Sequence, residues 1–173
     1  CTNSGLSLFN RDRGTFTTFT HQQGVADSLA DTIIYSMIED LQGNFWIGTY
    51  TAGLDYWDMK ANTVTHHAFD PNDPNSISDN LVNSIIYDAA GRLWVGTNNG
   101  LNRFEDGHFI RYRYDPQNPK GLSSNSIQRI VLDSKGVLWI ATRGGGINRY
   151  APETDSFVHF LKRDGLPNNI CYS

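Results

Sequence analysis

The chain holds only two cysteines in 173 residues, Cys1 and Cys171, at opposite ends. Two thiols so placed do not make a disulfide framework, and one pair does not fix a redox compartment. No apolar run approaches the 18 or more residues of a transmembrane helix, and no charged, apolar, small-residue series at the start reads as a signal peptide. Positive charge is not clustered. The 14 basic residues stand against 18 acidic ones for a net charge of −4, which argues against a nucleic-acid surface. Also missing are a Ser/His/Asp order, a Cys-x-x-Cys pair and a phosphate-cradling loop; Arg143-Gly-Gly-Gly146 is rich in glycine, but no helix pattern follows it. Glycine and aromatic residues, by contrast, are plentiful, as a turn-rich all-β chain requires.

What is present is one phrase written three times. Asp40-Leu-Gln-Gly-Asn-Phe-Trp46-Ile-Gly-Thr49 returns as Asp88-Ala-Ala-Gly-Arg-Leu-Trp94-Val-Gly-Thr97, and again as Asp133-Ser-Lys-Gly-Val-Leu-Trp139-Ile-Ala-Thr142. The tryptophans recur at intervals of 48 and 45 residues. A period in this range, with four short strand-like runs inside it, is the signature of a β-propeller, whose blades cannot bury their faces without neighbours.

Each period divides into four expected strands. The first is an apolar run, 33–38, 82–87 and 127–132, too short and too β-branched for a helix; its near-continuous apolarity predicts burial on both faces. An Asp-x-x-Gly step turns the chain, with Asp bonding its own backbone and Gly supplying positive φ. The second strand carries the tryptophan. The third opens with Gly-Leu or Gly-Ile at Gly53, Gly100, Gly146 and, in part, Gly5. The fourth alternates, as in Phe109-Ile-Arg-Tyr112, which marks a half-exposed outer strand.

The expected architecture is therefore all-β, a propeller fragment of about three and a half four-stranded antiparallel blades. A half-blade and connector fill 1–32, blades follow at 33–80, 81–125 and 126–169, and 170–173 start a further blade. Cys1 falls on a Gly position of the repeat, matching Gly96, so it is read as mid-array; a lipid-modified first residue is the alternative. Propellers close with roughly four to eight blades, so open blade edges are expected to pair, dimerise or leave the piece marginal.

The string Asp-x-x-Gly-x-Leu/Phe-Trp-Ile/Val-Gly-Thr-x-x-Gly-Leu, followed by Ser76-Ile-Ser-Asp-Asn-Leu-Val82, resembles the two-component regulator propeller repeat. That resemblance covers essentially the whole chain. It implies the periplasmic sensor arm of a bacterial hybrid histidine kinase, which detects an extracellular ligand, commonly an oligosaccharide. No transmembrane, kinase, receiver or DNA-binding segment lies within these residues, so the implied signalling belongs to a parent protein and this segment carries no catalytic motif. Departures are modest: Ala141 replaces the Gly of Gly-Thr, and Ser126 stands where an apolar residue usually follows Asn125. The sialidase Asp-box places its Gly two residues after the Asp; here it falls three after in all three copies, which weakens a glycosidase reading.

Loop lengths separate the two ends of the blades. The Asp-x-x-Gly turns are tight and alike, whereas the Thr-x-x-Gly loops share their face with long connectors at 21–32, 70–80 and 115–125. Long variable loops on a rigid scaffold are where binding usually lives. The positions where the copies differ are the candidates for ligand binding: Tyr50 and Thr51, Asn98 and Asn99, Arg143 and Gly144, with Tyr35, Asn83 and Gln128 or Arg129 at the first-strand ends. An aromatic platform, amides and a guanidinium suit a sugar, and Arg129 and Arg143 equally suit a carboxylate or sulfate. Taken singly, each reads more simply as a solvated loop residue. No metal or cofactor is expected. Asp70-Pro-Asn-Asp-Pro-Asn-Ser76 lacks the glycine and distal Glu of an EF-hand loop, and His66 and His67 point to opposite faces of one strand. Asn102-Arg103 and Asn148-Arg149 fall mid-strand as blade braces, and the repeat tryptophans read as packing. The alternatives to a sensor are a propeller lyase or glycoside hydrolase, which would need a positioned carboxylate pair, and a protein-interaction or dimerisation scaffold.

Overall fold

The computed structural model describes residues 4–171; Cys1, and the end of the expected final strand at Tyr172 and Ser173, lie outside them. Fourteen strands run in chain order: β1 (Leu6–Asn10), β2 (Thr15–Phe19), β3 (Ile34–Glu39), β4 (Phe45–Thr49), β5 (Leu54–Asp58), β6 (Thr63–His67), β7 (Val82–Tyr87), β8 (Leu93–Thr97), β9 (Gly100–Glu105), β10 (His108–Tyr112), β11 (Ile127–Leu132), β12 (Leu138–Thr142), β13 (Ile147–Ala151) and β14 (Ser156–Phe160). β3 to β6, β7 to β10 and β11 to β14 form three four-stranded antiparallel blades, each paired in sequence order, and β1 pairs with β2 as a half-blade. Every first-to-second strand pair carries a register shift at the same place, between Ile34 and Ser36, Val82 and Ser84, and Ile127 and Arg129. A bulge there re-aims the side chains at the strand start, beside the loop face.

The Asp-x-x-Gly turns are built as their residues require. Asp40 Oδ1 accepts from the backbone of Gln42 and Asn44, Asp88 Oδ1 from Ala90 and Arg92, and Asp133 Oδ1 from Lys135 and Val137. Gly43, Gly91 and Gly136 follow at φ of 85°, 80° and 75°, where a Cβ would be strained. In two blades the second carboxylate oxygen accepts the indole N–H of the repeat tryptophan, Trp94 at 2.8 Å and Trp139 at 3.0 Å. In the first blade Tyr56 and Asn44 occupy that oxygen, and Trp46 donates instead to the Tyr87 hydroxyl of the next blade.

The core is a set of slabs between consecutive blades. Trp46, Leu54, Val82 and Val95 pack between the first and second blades, and Trp94, Leu101, Ile127 and Ile140 between the second and third. Leu6, Ile34, Ile47 and Trp57 join the half-blade to the first. Gly48 and Gly96 mark the closest approach: a Cβ on either would sit 2.5 Å from a methyl of Val82 or Ile127 on the adjacent blade's first strand.

The expectation that first strands are buried on both faces holds fully for none and best for β7, the central one. Its Val82, Ser84 and Ile85 are buried and the rest half-buried. In β3, Tyr35 and Met37 are 48% and 44% exposed, and in β11 Val131 is 46% exposed. The half-blade offers β3 no first or second strand to pack against, and no blade among the described residues covers the outer face of β11. Trp139, on that same outer face, is half-buried where Trp94 is fully enclosed.

The mid-strand braces are real and of two kinds. Asn102 is fully buried; its amide oxygen accepts from Ser78 N–H and its nitrogen donates to Ser78 Oγ and the Val95 carbonyl. Asn148 repeats this with Ser123. Both pin the connector that precedes their own blade. Arg103 instead crosses to the third blade, donating to Tyr150 Oη and Asp155 Oδ1. Arg149, its counterpart, is exposed.

Candidate functional site at the loop face

The connectors meet the loops Thr49–Gly53, Thr97–Gly100 and Thr142–Gly146 at one end of the blades through a repeated hydrogen-bond scheme; the first and third of these loops are one residue longer than the second. The residue after the Thr donates its N–H back to the start of its own blade: Tyr50 to Ile33, Asn98 to Leu81, Arg143 to Ser126. The closing glycine donates forward to the end of the next connector: Gly53 to Asn80, Gly100 to Asn125, Gly146 to Asn169. The buried Thr49, Thr97 and Thr142 hydroxyls donate to those same glycines' carbonyls at 2.8–2.9 Å. The rim is thus fixed in backbone while its side chains differ.

Upon this rim the sequence-predicted residues divide into two groups. Thr51 is engaged: its N–H and hydroxyl both donate to Asp31 Oδ2, at 2.9 and 2.7 Å. Asn83 donates its side-chain amide to the Ile127 carbonyl at 2.8 Å, so it bridges the second and third blades. Asn98 accepts from Ser126 Oγ at 3.1 Å, and Gln128 donates to the same Ser126. Tyr50, half-exposed, pairs with Tyr35 at 5.3 Å between ring centroids. Arg129 and Arg143 are exposed, with no side-chain hydrogen bond or ion pair shown among the described residues. Asn99 uses its backbone N–H on Thr97 Oγ1 and leaves its amide open. Two polar surfaces result: a bridging network of Asn83, Asn98, Ser126 and Gln128, and open groups on Tyr50, Tyr35, Asn99, Arg129 and Arg143.

Asp31 and Ser126 were not foreseen as parts of this face. Burial opposes the Asp31 charge, but donors from Ile33 and Thr51 hold its carboxyl below the usual carboxylate range. It is ionised at neutral pH and has no proton to give. A repeated acid-to-backbone bond, Asp31 to Ile33 N–H and Asp79 to Leu81 N–H, was legible from the shared spacing of those aspartates.

A second missed group lies along the blade flank. Asp55 fills the slot of Asn102 and Asn148, is completely buried, and accepts from Ala30 N–H at 2.8 Å. His66 Nδ1 donates to its other oxygen at 2.7 Å, while His66 Nε2 lies 3.0 Å from the Ala26 carbonyl. Arg111 and His159 stand at the same fourth-strand position and likewise pin connector carbonyls, Ser76 and Gly121. Burial works against a charge on His66, but its bond to Asp55 and that carboxylate's charge raise its pKa. His67, on the opposite face among Trp46, Phe104 and Phe109, has its pKa lowered by burial. No group of three or more His, Cys, Asp or Glu able to hold a metal occurs among the described residues. Nor is any helix there long and apolar enough to cross a membrane.

The sequence model of the two-component regulator propeller family matches residues 28–51, 76–99 and 121–144, one segment per blade. The chain thus carries three matches to the two-component regulator propeller repeat, one in each complete blade. Each matched segment runs from the end of a connector through the Asp-x-x-Gly turn into the loop after the repeat threonine, so the family signature covers the rim and its support. Among solved structures, an extracellular domain assigned to a hybrid two-component system of B. thetaiotaomicron superposes with a TM-score of 0.77 at 24% identity, over 92% of this chain. An extracellular domain assigned to a one-component system of the same organism is 29% identical over 98% of the chain, with a TM-score of 0.44. A catalytically inactive virginiamycin B lyase from Staphylococcus aureus, solved with quinupristin, gives 0.62 at 18% identity over 89% of the chain. The chain spans 22%, 23% and 47% of those three, respectively. No curated protein sequence matches it. The first and third comparisons establish the propeller fold.

Proposed function

We propose that this chain is part of the extracytoplasmic, periplasmic sensing propeller of a hybrid two-component receptor, that it binds an oligosaccharide across its loop face, and that it is not itself catalytic. The observation that carries this reading is the divided rim: a repeated hydrogen-bonded backbone presenting a Tyr35–Tyr50 aromatic pair on the first blade and, further along the same rim, Asn99, Arg129 and Arg143 with no side-chain partner shown. Aromatic faces stack on sugar rings, and amides and guanidinium groups bond hydroxyls or a uronic carboxylate. The parent kinase would respond only if the ligand favours one arrangement of the receptor over another. The exposed faces of β3 and β11 would be covered by further blades or by a second copy.

The test is a glycan panel read by thermal unfolding of the chain. A saccharide at about 100 times its Kd should stabilise the fold by about 2.7 kcal/mol through linkage. Tyr50→Ala should remove that shift while leaving the ligand-free melting temperature in place. No shift with any saccharide overturns the oligosaccharide reading. Release of cleaved products would replace it with the lyase or glycosidase alternative.

A further inference from the structure

The two blade junctions differ in one instructive way, on the flank towards the tight-turn face and away from the loop rim. At the second junction the Arg103 guanidinium lies 5.6 Å from the ring centroids of both Trp94 and Tyr112. It also donates to the Tyr112 and Tyr150 hydroxyls and to Asp155. With Glu105, which accepts from the same guanidinium at 3.2 Å, three aromatic residues and two carboxylates surround a cation that the chain itself supplies.

At the first junction strand register places Tyr56 in the slot of Arg103, Trp46 in that of Trp94, His67 in that of Tyr112 and Phe104 in that of Tyr150. The rings are kept and the guanidinium is gone. A groove of about 340 Å³ opens there, lined by Asp40, Trp46, Tyr56, His67, Tyr87 and Phe104 among others. Trp46 is the hub, with ring centroids 4.6 Å from Tyr56, 5.1 Å from Phe104 and 5.5 Å from His67. The Asp40 carboxylate borders the groove and its charge reaches both Tyr56 and Tyr87. His67 is neutral through burial, so the lining holds an anion and ring faces but no cation.

We propose that this groove binds a small organic cation, a quaternary ammonium or methylated amine. Its charge would face the rings much as Arg103 faces Trp94 and Tyr112 one junction on, with Asp40 as counter-ion. Ring faces carry negative potential and attract cations, and quaternary ammonium groups suit such sites because they need no hydrogen-bond partner. This site is separate from the loop face and stands whether or not that face binds a glycan.

The test titrates the chain with choline and with its uncharged isostere 3,3-dimethyl-1-butanol, following the Trp46 indole N–H resonance. Choline should saturate and bind at least about tenfold more tightly than the isostere, the contribution expected of ring and carboxylate attraction together. Tyr56→Arg installs the residue found at the equivalent slot of the next blade, and should abolish choline binding while the melting temperature holds. Asp40→Asn keeps the turn-forming side chain, and should weaken choline without changing the isostere. Equal affinity for the two probes, no saturation by choline, or choline binding untouched in both variants overturns the proposal.

Discussion

His66 and Asp55 form a clamp in which both ring nitrogens of the histidine face acceptors, Asp55 Oδ1 at 2.7 Å and the Ala26 carbonyl at 3.0 Å. While Asp55 is ionised, only the imidazolium satisfies both at once, and burial pushes the Asp55 pKa above the usual carboxylate range. Asp55 in turn holds Ala30 N–H, so the clamp ties the 21–32 connector to the flank of the first blade. The other blades do this with neutral Asn102 and Asn148, and only the first made it depend on a proton.

The first prediction follows from that proton. The His66 pKa is raised in the folded state, so its stabilising contribution is fully present below the unfolded value of roughly 6.5 and is lost as pH rises through the folded value. His67 acts in the opposite sense. Its lowered pKa means the fold prefers it neutral, and that stabilisation is present above the unfolded value and lost as pH falls below it through the lower folded value. Comparing melting temperatures of wild type and His66→Gln from pH 5 to 9 isolates the clamp. The gap between them should be wide on the acid side for as long as Asp55, whose own pKa burial raises, stays ionised, and close on the alkaline side; a constant gap would refute the charged form.

Gly96→Ala and Ala141→Gly should behave unlike each other although they occupy one repeat position. The added Cβ at Gly96 meets Ile127 of the next blade at 2.5 Å, and such overpacking typically costs about 1–3 kcal/mol. Ala141 lies on the outer side of the last blade, where the chain already carries that methyl, so its removal should cost only the backbone entropy of a strand glycine, about 0.5–1 kcal/mol. Urea denaturation of the two variants gives the comparison directly.

Trp94 and Trp139 hold equivalent slots and make the same indole bond to a turn aspartate. Trp94 is enclosed by the third blade and Trp139 is half-exposed. Trp94→Ala should therefore cost about 3–5 kcal/mol and Trp139→Ala distinctly less. Equal losses, again by denaturant melts, would mean that the outer face is covered in solution.

Most of the strand plan was legible because a repeat supplies its own controls. Three aligned copies of Asp-x-x-Gly-x-x-Trp fix turns and strands where a single copy would leave a short apolar run ambiguous. What escaped depends on neighbours. Tyr35, Met37 and Val131 read as buried because a first strand normally lies between two blades, and periodicity does not say which blades are present. Arg103 reads as a brace, but its partner Asp155 sits in a turn 52 residues on, where no spacing rule points. The Asp55 clamp was within reach: a polar residue in one slot of every apolar third strand, opposite His66, Arg111 or His159, is a pattern in the alignment of the copies. At the rim, the variable positions were found, yet Asn83 and Thr51 proved to be bonded internally, a distinction only geometry makes.

The rim scheme at Tyr50, Asn98 and Arg143 separates two things that a binding surface usually couples. Backbone bonds run from each of these positions back to its own blade, and from the closing glycines onward to the next connector, with the Asn98 side chain adding one bond to Ser126. A side chain there can be exchanged without loosening a single one of the backbone bonds. The chemistry this face offers can therefore change blade by blade while the backbone beneath it keeps its shape.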